Sequence, residues 1–197
     1  MSKKYIKSRY WACVGYPESL PDDWKEKLIE TGLRIAISPL HDQDFNPDGE
    51  VKKVHYHFIF YYDGPTTYEA VKDLCDKFNM TIPIKLESIR GMYRYHIHID
   101  NPEKYQYDDR DRILLNGFDS NSVNELTKTE VNKIKKDIIN YIVENNVKEY
   151  CDLLNQLIDL ENDMFDVASS HTILFNTFIT SRRNKLKDTL LGNSYNI

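Results

Sequence analysis

The chain has 197 residues, a formal net charge of −5, 41% hydrophobic residues and 29% charged residues. This length suits one domain of ordinary size with a smaller one appended, and the composition excludes a disordered or fibrous chain. No run approaches the roughly 20 apolar residues of a membrane span, and the acidic balance excludes holding nucleic acid by bulk charge alone.

The first ten residues are basic but lack the apolar core of a secretory signal, so a cytoplasmic protein with no membrane partner is expected. Cys13, Cys75 and Cys151 are far apart and in no metal-ligand spacing, which predicts reduced, mostly buried thiols. Arg9–Tyr16, aromatic and β-branched, predicts a strand. A helix should run from Pro21 to about Thr31, with Asp22 and Asp23 at its positive end, Trp24, Leu28 and Ile29 as its buried stripe and Gly32 as its stop. Arg34–Leu40 predicts a second strand and Asp42–Glu50 a polar loop. Val54–Tyr62 then supplies the strongest strand signal, as hairpin partner of Arg34–Leu40.

Thr67–Asn79 predicts a helix capped by Thr66 or Thr67, with Ala70, Val71, Leu74 and Phe78 inward. Ile82–Leu86 reads as a strand, Ile89–Ile99 as a helix and Tyr105–Tyr107 as a last short strand. Together these predict an α+β fold, a central antiparallel sheet covered by helices on one side. Past Phe118 the pattern turns helical, with helices expected around Ile134–Val147, Tyr150–Leu160 and Ile173–Lys185. The expected organisation is an α+β domain over 1–122, a small all-α domain over 123–191 and a loose tail over 192–197.

Residues two apart on a strand share a face, so His55 and His57 present two imidazoles about 7 Å apart along the backbone. Tyr56, Phe58 and Phe60 take the other face. Alone the pair is equally a decorated strand. His41 and Asp44 at the end of the partner strand could converge on it, with Asp42 as the competing carboxylate. Nitrogen and oxygen donors of this kind suit Mn²⁺, Zn²⁺ or Fe²⁺, and Mg²⁺ less readily. In Met92-Tyr93-Arg94-Tyr95-His96-Ile97-His98, helical spacing puts Tyr95 and His98 on one face and turns Tyr93 away.

The ordered set Tyr16-Pro17-Glu18-Ser19, Pro21, Trp24, Ile37-Ser38-Pro39-Leu40-His41-Asp42-x-Asp44, Lys52-Lys53-x-His55-Tyr56-His57 and Met92-Tyr93-x-Tyr95 resembles the RepB-type initiators of rolling-circle plasmids, within the HUH endonucleases. The resemblance covers most of Tyr10–Phe118 and, more loosely, the helical C-terminus. It implies metal ligands at His41, Asp44, His55 and His57, a nucleophile at Tyr95 and a supporting histidine at His98. His96 and Ile97 depart from the more usual Leu and Thr.

It further implies a divalent cofactor, Mn²⁺ first and Mg²⁺ second, and single-strand nicking at a plasmid origin. A 5′-phosphotyrosyl link forms, a 3′-OH is left as primer, and the strand is later rejoined. The implied partners are duplex origin DNA with an extruded hairpin, the host replication machinery in a bacterial cytoplasm, and further copies of the chain in a ring formed by the C-terminal helices. Lys52, Lys53, Arg90 and Arg94 are the expected DNA contacts, each equally a solvated charge. Two other readings stay open: a helix-turn-helix regulator built on Ile138–Leu154, and a small-molecule metalloenzyme.

Overall fold

The computed structural model describes residues 6–158, 160 and 163–192. The expected tail at 192–197 lies, apart from Gly192, outside the described residues. The chain separates into two compact units between Glu125 and Leu126.

The first unit is an α+β fold around a five-stranded antiparallel sheet of order β4-β1-β3-β2-β5. Its strands are β1 (Lys7–Gly15), β2 (Arg34–Ile37), β3 (Tyr56–Thr67), β4 (Ile84–Lys85) and β5 (Ile113–Leu115). The aromatic and β-branched run Tyr56–Tyr62 makes β3 the centre, with β1 on one side and β2 on the other. Its register sets Cys13 and Ile37 opposite Phe58, and Trp11 and Ile35 opposite Phe60. The helices of this unit are α1 (Trp24–Glu30), α2 (Tyr68–Lys77), α3 (Ile89–Tyr95) and α4 (Ser120–Asn124).

Both faces of the sheet are covered, in place of the single covered face expected. Trp11, Ile35, Ile37, Phe58 and Phe60 pack with Leu28 of α1 and with Val71 and Cys75 of α2. On the other face Ala36 and Ile59 pack with Tyr93 of α3 and Val123 of α4. The cause is the composition of β3, where Phe58, Ile59 and Phe60 are consecutive and all fully buried. A strand apolar on both faces requires a layer on each. Burying one such side chain contributes about 1.5–3 kcal/mol.

Other elements shift for local reasons. Helix α1 stops as expected at Gly32, whose φ is 65°, but Ile29 is half exposed. Thr67 caps α2 by accepting from the Ala70 amide, and Cys75, not Ala70, joins Val71 on its buried side. Residues 105–107 form no strand; the edge position is taken by β5 on β2. Helix α3 ends at Tyr95, four residues earlier than expected, and His98 lies in the left-handed region with φ 59°.

The second unit is all helical: α5 (Lys128–Glu144), α6 (Tyr150–Ile158), α7 (Met164–Ser170) and α8 (Thr172–Gly192). Helix α7 was not foreseen. Thr127 and Glu130 form a capping box on α5. Ile138, Ile142, Leu153, Leu157, Phe175 and Ile179 make its core. The Arg182 guanidinium donates to the carbonyls of Val143 and Val147, a cation at the negative end of α5. All three cysteines are free, and Cys13 and Cys75 are buried, as the expectation of mostly buried thiols has it; Cys151 is exposed. No helix among the described residues is long and apolar enough to cross a membrane.

Gly15, at the end of β1, leaves room for Phe58: a Cβ there would come within 2.7 Å of the ring. Gly15→Ala is therefore expected to destabilise the first unit by about 1–3 kcal/mol, read as a lower midpoint in denaturant unfolding. An unchanged midpoint would mean that the Phe58 ring moves aside at no cost.

Candidate metal centre

The alternation of β3 sends Phe58 and Phe60 to one face, and His57 follows Ile59 to the other. His55, one residue before the strand, stays on the His57 side through a backbone bridge to His41: the His41 amide donates to the His55 carbonyl at 2.9 Å, and the His41 carbonyl accepts from the His55 amide at 3.2 Å. Buried Ser38 holds the gap between strand and bridge. Its amide donates to the His57 carbonyl and its Oγ accepts from the His57 amide, each at 2.9 Å. One ligand atom from each of His41, His55 and His57 then falls within 4.8 Å of the others, and all three residues are buried.

The hydrogen bonds choose which ring nitrogens are available. His55 Nδ1 lies 2.7 Å from the Lys53 carbonyl, which can only accept, so Nδ1 carries the proton and Nε2 a bare lone pair. That lone pair faces His57 Nε2 at 3.2 Å. His41 meets an acceptor at each nitrogen, the His96 carbonyl at 2.9 Å from Nε2 and Asp44 Oδ2 at 3.3 Å from Nδ1. A neutral ring has one proton for these two acceptors, so a cation fits beside the nitrogen that lacks one.

Asp44 is buried and Asp42 exposed, which separates the two candidate carboxylates. Asp44 groups with His41 and His98, again within 4.8 Å, so His41 belongs to both clusters. Tyr107 braces the pair: it stacks on His41 with ring centroids 4.2 Å apart, donates to Asp44 Oδ1 at 3.1 Å and accepts from the Gln43 amide at 3.0 Å.

Burial, with neighbouring imidazoles adding to it, pushes His57 down to about 2. Burial also lowers His41, although Asp44 opposes the shift, and holds His96 well below the ordinary imidazole value. Burial alone would raise Asp44, but the facing His41 and His98 and the Tyr107 hydroxyl keep it below the usual carboxylate range. Burial thus favours neutral imidazoles at His41 and His57 beside an ionised Asp44, the forms that bind a divalent cation. The donor set fits such an ion.

Tyr95, the last residue of α3, sets its ring 5.4 Å from His57 and 5.0 Å from His98. Tyr93 turns away as expected, buried against Phe118 and covered by Arg112. The four expected DNA contacts differ in their partners. Arg90 donates to the Asn124 carbonyl, Arg94 pairs with Asp100, and Lys53 pairs with Glu18 over the Tyr16 ring. Lys52 lines a groove of about 420 Å³ with Asp44, Phe45, Lys104 and Tyr105.

Sequence reasoning missed Ser38, Tyr107 and Lys104. Tyr107 lay in the short strand expected at 105–107 and Lys104 just before it, and nothing in the spacing shows that this segment folds back on the site.

The histidine burial has a pH consequence. With His57 at about 2 against an ordinary value of 6.5, the unfolded chain gains a proton below pH 6.5 that the folded chain excludes. Stability present above pH 6.5 is therefore lost as the pH falls, by up to about 1.4 kcal/mol per pH unit from this group. His41 and His96 act in the same direction. In chelator, the thermal midpoint is expected to fall between pH 7 and pH 5, and more shallowly in His57→Gln. Parallel slopes for the two proteins would show that His57 is charged in the folded state.

Residues 3–121 match the family model described as "Plasmid replication protein, origin binding domain". The chain is similar to the replication protein RepB of Lactiplantibacillus plantarum, 36% identical over 173 residues, which cover 87% of this chain and 78% of the relative. It is 33% identical over 186 residues to a replication protein of Staphylococcus aureus, covering 93% and 94% of the two chains. A replication protein RepB of Streptococcus agalactiae is 31% identical over 164 residues, covering 76% and 78%. With a two-sided α+β unit bearing the histidine cluster, the matching origin-binding model and relatives aligned over most of their length, this chain belongs to the RepB-type plasmid replication initiators.

Proposed function

We propose that the origin-binding unit is a metal-dependent nicking and closing enzyme. Tyr95 is the nucleophile, and His41, Asp44, His55 and His57 hold a divalent ion, Mn²⁺ in preference to Mg²⁺. The observation that carries this reading is the contact between the Tyr95 ring and His57, which sets a phenol at the edge of a buried imidazole cluster.

A bound divalent ion would offset the negative charge of a phosphodiester that otherwise repels a nucleophile. The protein's own groups supply the rest. Burial keeps the His57 imidazole neutral with its lone pair, and Tyr107 holds Asp44 and His41 in place from behind. Tyr95, at the end of α3, offers its hydroxyl beside them. Attack forms the bond from Tyr95 Oη to phosphorus and breaks the bond from phosphorus to the 3′-oxygen, and the phenolic proton passes through solvent to that oxygen. The 3′-OH primes synthesis by the host machinery, and the reverse reaction rejoins the strand. A base-paired duplex is too wide and stiff to seat its phosphodiester in so recessed a site, which favours an extruded hairpin as substrate.

The helical unit serves self-association in this reading. In support, Ile158, Ile173 and Leu174 are exposed there, with Ile173 at 84%. Exposed apolar side chains on a small helical unit favour contact between copies. The other open role, duplex reading through α5, the turn at Asn146 and α6, has no comparable support.

The test is a supercoiled plasmid carrying the DNA that flanks the coding sequence, incubated with Mn²⁺. Nicked and relaxed products are expected, with a protein–DNA adduct that survives denaturant. Chelator or Tyr95→Phe should abolish all three, and His57→Gln should reduce them by about 100-fold or more. An adduct undiminished in Tyr95→Phe would move the nucleophile elsewhere. A chain ending at Glu125 should still nick a single-stranded oligonucleotide while sedimenting as a monomer; an oligomeric truncation would sink the role given to the helices.

A further inference from the structure

We infer that Lys104 is a catalytic residue of the tyrosine chemistry, its ammonium stabilising the charge that develops on Tyr95 Oη in both nicking and rejoining. The inference rests on the assignment of Tyr95 as nucleophile.

Lys104 Nζ donates to Tyr95 Oη at 3.2 Å and sits 4.5 Å from the centre of the same ring. Four other lysines of this unit pair with carboxylates: Lys27 with Asp23, Lys53 with Glu18, Lys72 with Asp76 and Lys85 with Glu87. Lys104 is half-buried and aims at a phenol oxygen instead.

Its loop is held from several directions. The Asn101 amide donates to the His98 carbonyl at 2.7 Å, and the Lys104 amide donates to the Asn101 carbonyl at 2.9 Å. The Gln106 side chain donates to the carbonyls of Asn101 and Lys104. His98 Nδ1 donates to the Tyr105 carbonyl at 2.8 Å, and Tyr107 ties the far end to Asp44. The ammonium is therefore oriented before any substrate arrives, so little reorganisation accompanies the reaction.

The direction of the effect follows from the charge on one atom. In the resting enzyme Tyr95 Oη belongs to a neutral phenol. In the covalent adduct it is a bridging ester oxygen. Between the two it carries negative charge, as the bond from oxygen to hydrogen is lost and the bond to phosphorus forms. A cation fixed at that oxygen stabilises the middle state more than either end. It accelerates formation and resolution of the adduct alike and leaves their ratio nearly unchanged. A lysine that held the DNA phosphates would instead act on affinity.

The test uses the full chain, Mn²⁺ and a 3′-labelled single-stranded oligonucleotide spanning the nick site mapped on the supercoiled plasmid. Adduct formation is followed at saturating oligonucleotide. Resolution is followed by adding excess upstream fragment ending in a 3′-OH. Lys104→Met is expected to slow both steps by about 100-fold, with factors that agree within threefold. The equilibrium fraction of adduct and the affinity for the oligonucleotide should change less than twofold. Lys104→Arg should recover at least a tenth of the wild-type rate, and propylamine should restore part of the rate of Lys104→Ala in a saturable way.

Undiminished rates in Lys104→Met would overturn the inference. So would a loss confined to affinity, a loss in one direction only, or an alanine variant indifferent to propylamine. Tyr95→Phe, run in parallel, separates the two levels: adduct formation persisting there removes the nucleophile assignment and this inference with it. Adduct lost in Tyr95→Phe but formed at full rate in Lys104→Met removes the inference alone.

Discussion

Between Ile37, paired with Phe58, and His41, bridged to His55, the β2 side carries three residues where the β3 side carries two. That one extra residue decides the site. Cross-strand partners share a face, and a slip of one residue exchanges the faces. In an uninterrupted ladder Leu40 would oppose His55, and His41 would point away from the other imidazoles. The extra residue brings His41 opposite His55 instead. Pro39 has no amide to donate to a ladder, and Ser38 supplies its hydroxyl to the His57 amide, so the interruption leaves that buried donor satisfied.

The stability of this unit is organised around keeping imidazoles dry. The face opposite the main core carries His41, His55, His57, His96 and His98, all buried. Neither ring nitrogen of His96 has a hydrogen-bond partner among the described residues, nor has Nε2 of His98. An unpartnered buried polar atom costs about 1–3 kcal/mol, and a non-glycine residue in the left-handed region, as at His98, adds about 1–2 kcal/mol more. The aromatic core of Phe58, Phe60 and Trp11 on the opposite face offsets these costs. Local conflict of this kind belongs where a fold serves chemistry at the expense of stability.

Much of the fold follows from local pattern. The Gly32 stop and the Thr67 cap are legible from residue type and spacing because each depends on neighbours within a few positions, and the antiparallel pairing of β2 with β3 is legible from their order as successive strands. The expectation of a single covered face failed because the alternation of β3 was read from its histidines and aromatics alone. The Phe58-Ile59-Phe60 run makes the strand apolar on both sides. The strand expected at 105–107 failed because its tyrosines serve the site: Tyr107 holds Asp44, and the Tyr105 carbonyl accepts from His98.

The sequence by itself determined the chemistry on offer: two imidazoles two residues apart on a strand, a third with a carboxylate in the preceding segment, and a tyrosine on a later helix. Strand periodicity is a property of the backbone, so His55 and His57 share a face in any β-structure. Only the tertiary structure decided which ring nitrogens are free, that Asp44 and not Asp42 is buried, and that the cluster divides into two groups sharing His41. It alone brought Lys104 to Tyr95, nine positions along the chain and across a turn. Those facts rest on the path of loops 38–44 and 96–107, which hydrogen bonds to distant partners set and no local preference encodes.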